Sequence, residues 1–191
     1  MKKIAITGGI GSGKSTVCDI LKQQGYPVFS CDEIYREIMK SPDYIQRVKR
    51  IFPSAVQNGK IDKTVLSSLV FSNPDKLKAL NEIAHPLVME RLLAEMNESQ
   101  APVVFAEVPL LFEGNFQNLF DGCLIVRRRK ADRIQSVQKR DGLSKEEILS
   151  RIQNQVNHCK IKSTPTIRKI TNSGGVDELK EKVIAYLKTI L

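Results

Sequence analysis

The stretch Gly8-Gly9-Ile10-Gly11-Ser12-Gly13-Lys14-Ser15-Thr16 puts Gly8, Gly13, Lys14 and Ser15 on the pattern G-x-x-x-x-G-K-[ST], and no other feature restricts the fold as much. Glycines let successive backbone N–H groups turn inward on a phosphate chain. A helix beginning near Gly13 aims the positive end of its dipole at the same point. In such a phosphate-binding loop, or P-loop, the Lys14 ammonium reaches the β and γ phosphates and the Ser15 hydroxyl holds Mg²⁺. The flanks agree. Ile4-Ala5-Ile6-Thr7 is a short apolar run suited to a buried strand, and Val17, Ile20 and Leu21 follow at helical spacing. A glycine-rich turn with no ligand explains neither flank.

With 191 residues, 41% hydrophobic and 27% charged, the chain can build one substantial core that carries inserted subdomains. No apolar run approaches the roughly 20 residues of a membrane span. Lys2-Lys3 leads straight into the first strand, so the expectation is a structural N-terminus without a signal peptide, no membrane partner and a cytoplasmic location. Cys18, Cys31, Cys123 and Cys159 form no C-x-x-C pair, which argues against a zinc site and a disulfide scaffold and for reduced, partly buried thiols. A formal charge of +9 and a pI of about 9.4 call for an anionic partner, whether nucleic acid, membrane surface or polyphosphate. The excess peaks at Arg127-Arg128-Arg129-Lys130. No nucleic-acid partner is expected, because 6% aromatics and no Trp leave no basic aromatic platform.

After the loop a helix should run from about Lys14 to Gln24 and stop at Gly25. Val28-Phe29-Ser30-Cys31 reads as a second strand. About 11 helical residues run about 16 Å away and about five strand residues return as far, so Asp32 is expected beside the P-loop. Its carboxylate is there a catalytic candidate or, alternatively, the N-cap of a following helix. From there to Ser99 the pattern is helical with no strand candidate. Ser41-Pro42 and Asn73-Pro74 start helices, Asn58-Gly59 marks a turn, Val65, Leu66, Leu69 and Val70 form an apolar stripe, and His85-Pro86 breaks a helix. His85 reads as a helix-end or substrate-contact residue. Val103 to Ala106 returns to the core as a strand. Glu107 follows it, either supporting Mg²⁺ through water or bonding structurally to the P-loop. Pro109 to Glu113 is too apolar for an exposed loop and lines a pocket or packs against the helical insert. Cys123 to Val126 is a fourth strand and Ile167 to Thr171 a fifth. Between them two helices should break at Asp141-Gly142, the second capped by Ser144 with Glu147, and His158-Cys159 should end a helix. Arg140, Arg151 and Gln155 are the polar groups there that could reach a nucleotide. Leu179, Val183 and Leu187 mark a closing helix.

Taken together, Thr7 to Thr16, Asp32 with Ile34 and Arg36, His85-Pro86-Leu87, Pro109-Leu110-Leu111-Phe112-Glu113, Lys139-Arg140-Asp141 and Arg151 with Gln155 resemble the dephospho-coenzyme A kinases of the P-loop nucleoside and nucleotide kinase group. The resemblance spans nearly the whole chain. It implies an α/β fold with a five-stranded parallel sheet, a nucleotide-binding core over 1–32, 102–130 and 161–191, a helical CoA domain over 33–101 and a lid over 131–160. The implied activity moves the γ-phosphoryl of ATP to the ribose 3′-hydroxyl of dephospho-CoA, with Mg²⁺ as cofactor. Carried over residue by residue, the resemblance implies Asp32, Lys14 and Arg140 as catalytic. Gly9, Ile10, Gly11, Ser12, Gly13, Lys14, Ser15, Thr16, Arg140 and Asn172 would bind ATP. Asp32, His85, Leu111, Glu113, Arg151 and Gln155 would bind substrate, and Ser15 would hold the metal with Asp32 or Glu107 through water. The chain departs from the family in having Ser30-Cys31-Asp32 where Asp-Ala-Asp is frequent, and Ser136 where an arginine is common, with Arg133 one turn away.

Overall fold

The structure is a computed structural model and describes residues 1–190. Two units emerge, one made of Met1–Phe29 and the chain from Ser99 onward, the other of Ser30–Glu98.

The chain begins with β1 (Lys2–Thr7), the P-loop and α1 (Lys14–Gln23), followed by β2 (Val28–Ser30). Gly25, at φ 83, ends the first helix where the sequence places its cap. After the helical unit come β5 (Val103–Glu107) and β6 (Gly122–Arg127), numbered after the two short strands of that unit. Then follow α6 (Lys130–Asp141), α7 (Lys145–Gln153), β7 (Ile167–Thr171) and α8 (Val176–Ile190). The five strands form a parallel sheet in the order β2-β5-β1-β6-β7, as expected. Ile4 pairs with Phe105 on one side and Gly122 on the other. Buried on both faces, β1, β5 and β6 read as unbroken apolar runs rather than alternating ones. Val17, Ile20 and Leu21 of α1 and Leu179, Val183 and Leu187 of α8 complete one core with them. Each such fully buried aliphatic side chain contributes roughly 1.5–3 kcal/mol. Strand order reverses about the central β1, so the loop leaving its carboxyl end sits at the switch point where open α/β sheets bind ligands. The break at Gly142, φ 68, and the reciprocal Ser144–Glu147 capping box both form as read from the sequence.

The helical unit contains α2 (Cys31–Ile38), α3 (Pro42–Ile51), β3 (Val56–Gln57), β4 (Lys60–Ile61), α4 (Lys63–Phe71) and α5 (Pro74–Glu98). Its own core gathers Tyr44, Val48, Phe52, Leu66, Val70, Leu80 and Ala84. Ser41 caps α3 by accepting from Tyr44 N, and Asn73 accepts from Asp75 N and Lys76 N at the start of α5.

Four expectations fail here. The second strand ends at Ser30, and Cys31 opens α2, because Ser30 supplies the N-cap oxygen to Glu33 N. The turn at Asn58-Gly59 forms, but the expectation of no strand in this stretch fails. With φ of 49 and 72 it joins β3 and β4 into a tiny antiparallel hairpin, the geometry that two residues with positive φ favour. Nor does Pro86 break a helix, since α5 runs through it. A proline inside a helix loses one backbone bond and crowds the preceding turn, at roughly 3 kcal/mol. The buried stripe continues across it, from Leu80 and Ala84 to Val88, Met89, Leu92 and Met96, and holds the two halves in one helix. Lastly, His158-Cys159 lies beyond α7, in a turn, with His158 buried and Cys159 exposed.

Candidate active site

At the head of α1 four of the helix's N–H groups require acceptors from outside the helix. In α2, α3, α4 and α7 the side chains of Ser30, Ser41, Asp62 and Ser144 answer such groups. α1 differs. Its N-cap is Gly13, which has no side chain to offer, and no acidic residue occupies the first turn. The helix therefore directs unneutralised N–H groups and its positive dipole end into the P-loop, the arrangement an anion completes.

The loop is held from three directions. Asn172 Nδ2 donates to Ser12 O at 3.0 Å, Gln155 Oε1 accepts from Ile10 N at 2.9 Å, and Arg133 Nε donates to Ile10 O at 2.8 Å. These contacts come so close that only glycine fits at two points. Gly11 has φ 73, and a Cβ there would stand 2.6 Å from Arg133 O. Gly13 has φ 96, and its Cβ would stand 2.3 Å from Asn172 Nδ2.

Of the polar side chains in the loop, Lys14 donates from Nζ to Gly8 O at 2.9 Å, and Ser15 Oγ donates to Glu107 Oε1 at 3.4 Å. Glu107 ends β5, and Ser15 and Thr16 lie in the first turn of α1. Burial, with the Glu107 charge adding to it, pushes the nearby Cys18 thiol far up and keeps it protonated. Arg140, on the last turn of α6, makes a two-pronged pair with Asp141 at 2.7 and 2.8 Å, and that carboxylate, with a smaller contribution from Glu107, raises its pKa. Arg151 is exposed on α7, and its charge helps to lower Asp141.

Glu113 Oε1 accepts from Val156 N at 2.9 Å, while its other oxygen, Oε2, and His158 Nε2 are buried without a hydrogen-bond partner. Burial lowers the His158 pKa; Glu113 opposes the shift and Lys14 and Arg133 add to it, so the imidazole is neutral near pH 7. Leu111 is fully buried, whereas Leu110 beside it is 39% exposed. The sequence reading took His158 as a helix end and not as a site residue, and nothing in its local spacing signals burial.

In the helical unit Asp32 is exposed in the first turn of α2. Since Ser30 does the capping, the Asp32 carboxylate is not used as an N-cap. His85 lies inside α5 rather than at a helix end, and burial lowers its pKa. Among the described residues no group of three or more His, Cys, Asp or Glu is arranged to hold a metal, and no helix is long and apolar enough to cross a membrane.

Residues 2–178 match the family model described as Dephospho-CoA kinase. A dephospho-CoA kinase of Thermus thermophilus is 39% identical over 184 residues, covering 96% of this chain and 89% of that protein. The crystal structure of TT1252 from Thermus thermophilus superposes with a TM-score of 0.86 at 37% identity, over 100% of this chain and 98% of the other. Dephospho-CoA kinase from Campylobacter jejuni, at 24% identity, shares the fold, with a TM-score of 0.70 over 98% of this chain and 96% of its own. The match runs through the P-loop, the sheet and the helical unit alike, and the chain belongs to the dephospho-CoA kinase family.

Proposed function

We propose that the chain transfers the γ-phosphoryl group of ATP to the ribose 3′-hydroxyl of dephospho-CoA, giving ADP and coenzyme A, with Asp32, Lys14 and Arg140 as its catalytic residues. The observation that carries the reading is the uncapped N-terminus of α1, with Lys14 and the Ser15–Glu107 pair beside it, in a chain of this family. Phosphoryl transfer passes through a loose transition state, so the protein's work is positioning and charge stabilisation.

On the donor side the amides of Gly9 to Thr16 and the Lys14 ammonium bind the phosphates. Asn172 acts by holding Ser12, and Gln155 by holding Ile10. The Ser15 hydroxyl and the Glu107 carboxylate are adjacent hard oxygen donors, a set that fits Mg²⁺. Mg²⁺ typically keeps waters and substrate phosphates as ligands, which suits a site with few protein carboxylates. When bound, the ion neutralises charge on the phosphates. Arg140 exchanges Asp141 for phosphate when the nucleotide binds. An exposed ion pair contributes only about 0–1 kcal/mol, so the exchange costs little.

On the acceptor side Asp32 takes the 3′-hydroxyl proton as the oxygen bonds to phosphorus and the β–γ bridge breaks toward ADP. Its carboxylate follows the carboxyl end of β2 by two residues. The neutral His85, Glu113 and Arg151 bind the acceptor, while buried Leu111 supports the loop that carries Glu113. The test is ADP formation from Mg-ATP with dephospho-CoA, beside CMP, AMP, shikimate and gluconate, with the product identified by mass. Turnover confined to dephospho-CoA is expected; turnover only with another acceptor overturns the substrate.

A further inference from the structure

The side of α6 that rests on the P-loop carries a cation brought from outside the helix. Ser136 and Val137 lie three and four residues after Arg133, and Arg140 lies four and three after them, which sets all of them along one side of α6. That side is fixed to the loop at two points. Arg133 donates to Ile10 O at 2.8 Å, and buried Val137 comes within 2.8 Å of where a Gly11 Cβ would stand. Ser136 lies between these two anchors along α6, and its hydroxyl accepts from Arg128 Nη1 at 2.6 Å. Arg128 is the residue immediately after β6, the neighbour of the strand that feeds the P-loop.

This pairing engages only part of the half-buried Arg128 guanidinium. It has five N–H donors, Ser136 accepts from one of its nitrogens, and a hydroxyl supplies no countercharge. Arg129 pairs with Asp132 and Arg140 with Asp141, whereas among the described residues no ion pair claims Arg128. Yet Arg128 is the most sheltered of the three. A half-buried cation that faces only a neutral partner is free to take up an anion brought beside it. The anion due at this loop is the nucleotide polyphosphate.

We infer that Arg128 is a further catalytic residue, whose guanidinium contacts the transferring phosphoryl group of ATP, and that Ser136 is its positioning residue. The inference rests on the phosphoryl-transfer reading above.

The test measures kcat and KM for ATP in Arg128→Ala, Ser136→Ala, Arg129→Ala and the double variant Arg128→Ala/Ser136→Arg, with a thermal melt of each. Arg128→Ala should lower kcat by about 10²-fold, the loss typical of removing one donor to a transition-state charge, with KM for ATP changed only a few-fold. Ser136→Ala should lower kcat by about tenfold, as loss of one hydrogen bond does, at an unchanged melting temperature. The double variant, which delivers a guanidinium from α6 itself, should recover most of the kcat, and Arg129→Ala should behave as wild type. A kcat for Arg128→Ala within about twofold of wild type overturns the inference, and so does a double variant as slow as the single one. Should the wild-type chain transfer nothing to dephospho-CoA, the substrate reading fails and Arg128 is judged by calorimetry. Arg128→Ala should then weaken Mg-AMP-PNP about tenfold or more and Mg-ADP much less, since a charge-assisted bond to the γ position is lost. Equal effects on both nucleotides overturn it.

Discussion

In the sheet-based unit the groups around the phosphate cradle meet across long stretches of chain. Gln155 reaches Ile10, Arg133 reaches Ile10 and Asn172 reaches Ser12, at separations of 145, 123 and 160 residues. The Ser30–Glu98 unit is built largely from near neighbours. Ser30, Ser41, Asp62 and Asn73 cap helices within three residues, and the Tyr35 and Tyr44 hydroxyls meet at 3.2 Å nine residues apart. The first unit spends its polar groups on shaping a binding surface, the second on defining helices. Substitutions in the cradle should therefore cost activity, and most of those in the helical unit should cost stability.

The largest effect is expected at Lys14. Lys14→Ala should lower kcat by about 10³-fold or more while circular dichroism and melting temperature stay put, because a preorganised charge on the phosphates is removed without a core contact. An unaffected rate would take the P-loop out of the chemistry. Asp32→Asn tests whether the rule has an exception in the helical unit. It should lower kcat by about 10²-fold, as loss of a general base does, with a normal melt and near-normal KM for ATP. Full activity would return Asp32 to the ordinary surface.

Gly11→Ala should do both kinds of damage. A Cβ at φ 73 facing Arg133 O costs about 1–2 kcal/mol in backbone strain and pushes α6 off the loop, so nucleotide titration and denaturant melts should both register it. Asp62→Ala should remove about 1 kcal/mol of stability through the lost cap of α4 and leave turnover unchanged. A rate change there would show that the division between the units is too clean.

The smallest effect is on pH dependence. Burial depresses His158 in one unit and His85 in the other. A base depressed in the folded state contributes stability that is complete above its unfolded value of about 6.5 and is lost as pH falls toward the folded value. Melting temperature should therefore drop between pH 7 and 5, and His158→Gln should flatten part of that slope. An unchanged slope would mean that His158 has no part in it.

Local features were legible in the sequence because their causes are local. The P-loop, the cap at Gly25, Pro at the start of α3, the Ser144–Glu147 box and the apolar strands each depend on residues within a turn or two. The misreadings at Pro86, the β3–β4 hairpin and His158 share a cause too. A proline reads as a break until the packing on both sides outweighs it, and the burial of His158 depends on Phe112, whose ring stands edge-on to it at 6.1 Å. The sequence singled out Arg140 and noted Arg133 only as lying one turn from Ser136, where the family commonly has an arginine. In the structure Arg133 instead clamps Ile10, and Arg128 reaches Ser136.

By itself, then, the sequence determined that the chain builds a parallel α/β sheet with a phosphate loop after its first strand, because a residue type at a set spacing is enough to specify backbone conformation and strand burial. Which atoms of that loop the distant side chains hold was decided only by tertiary structure. Arg133, Gln155 and Asn172 reach their partners through strand order and helix packing, and long-range contacts of this kind leave no periodic trace along the chain.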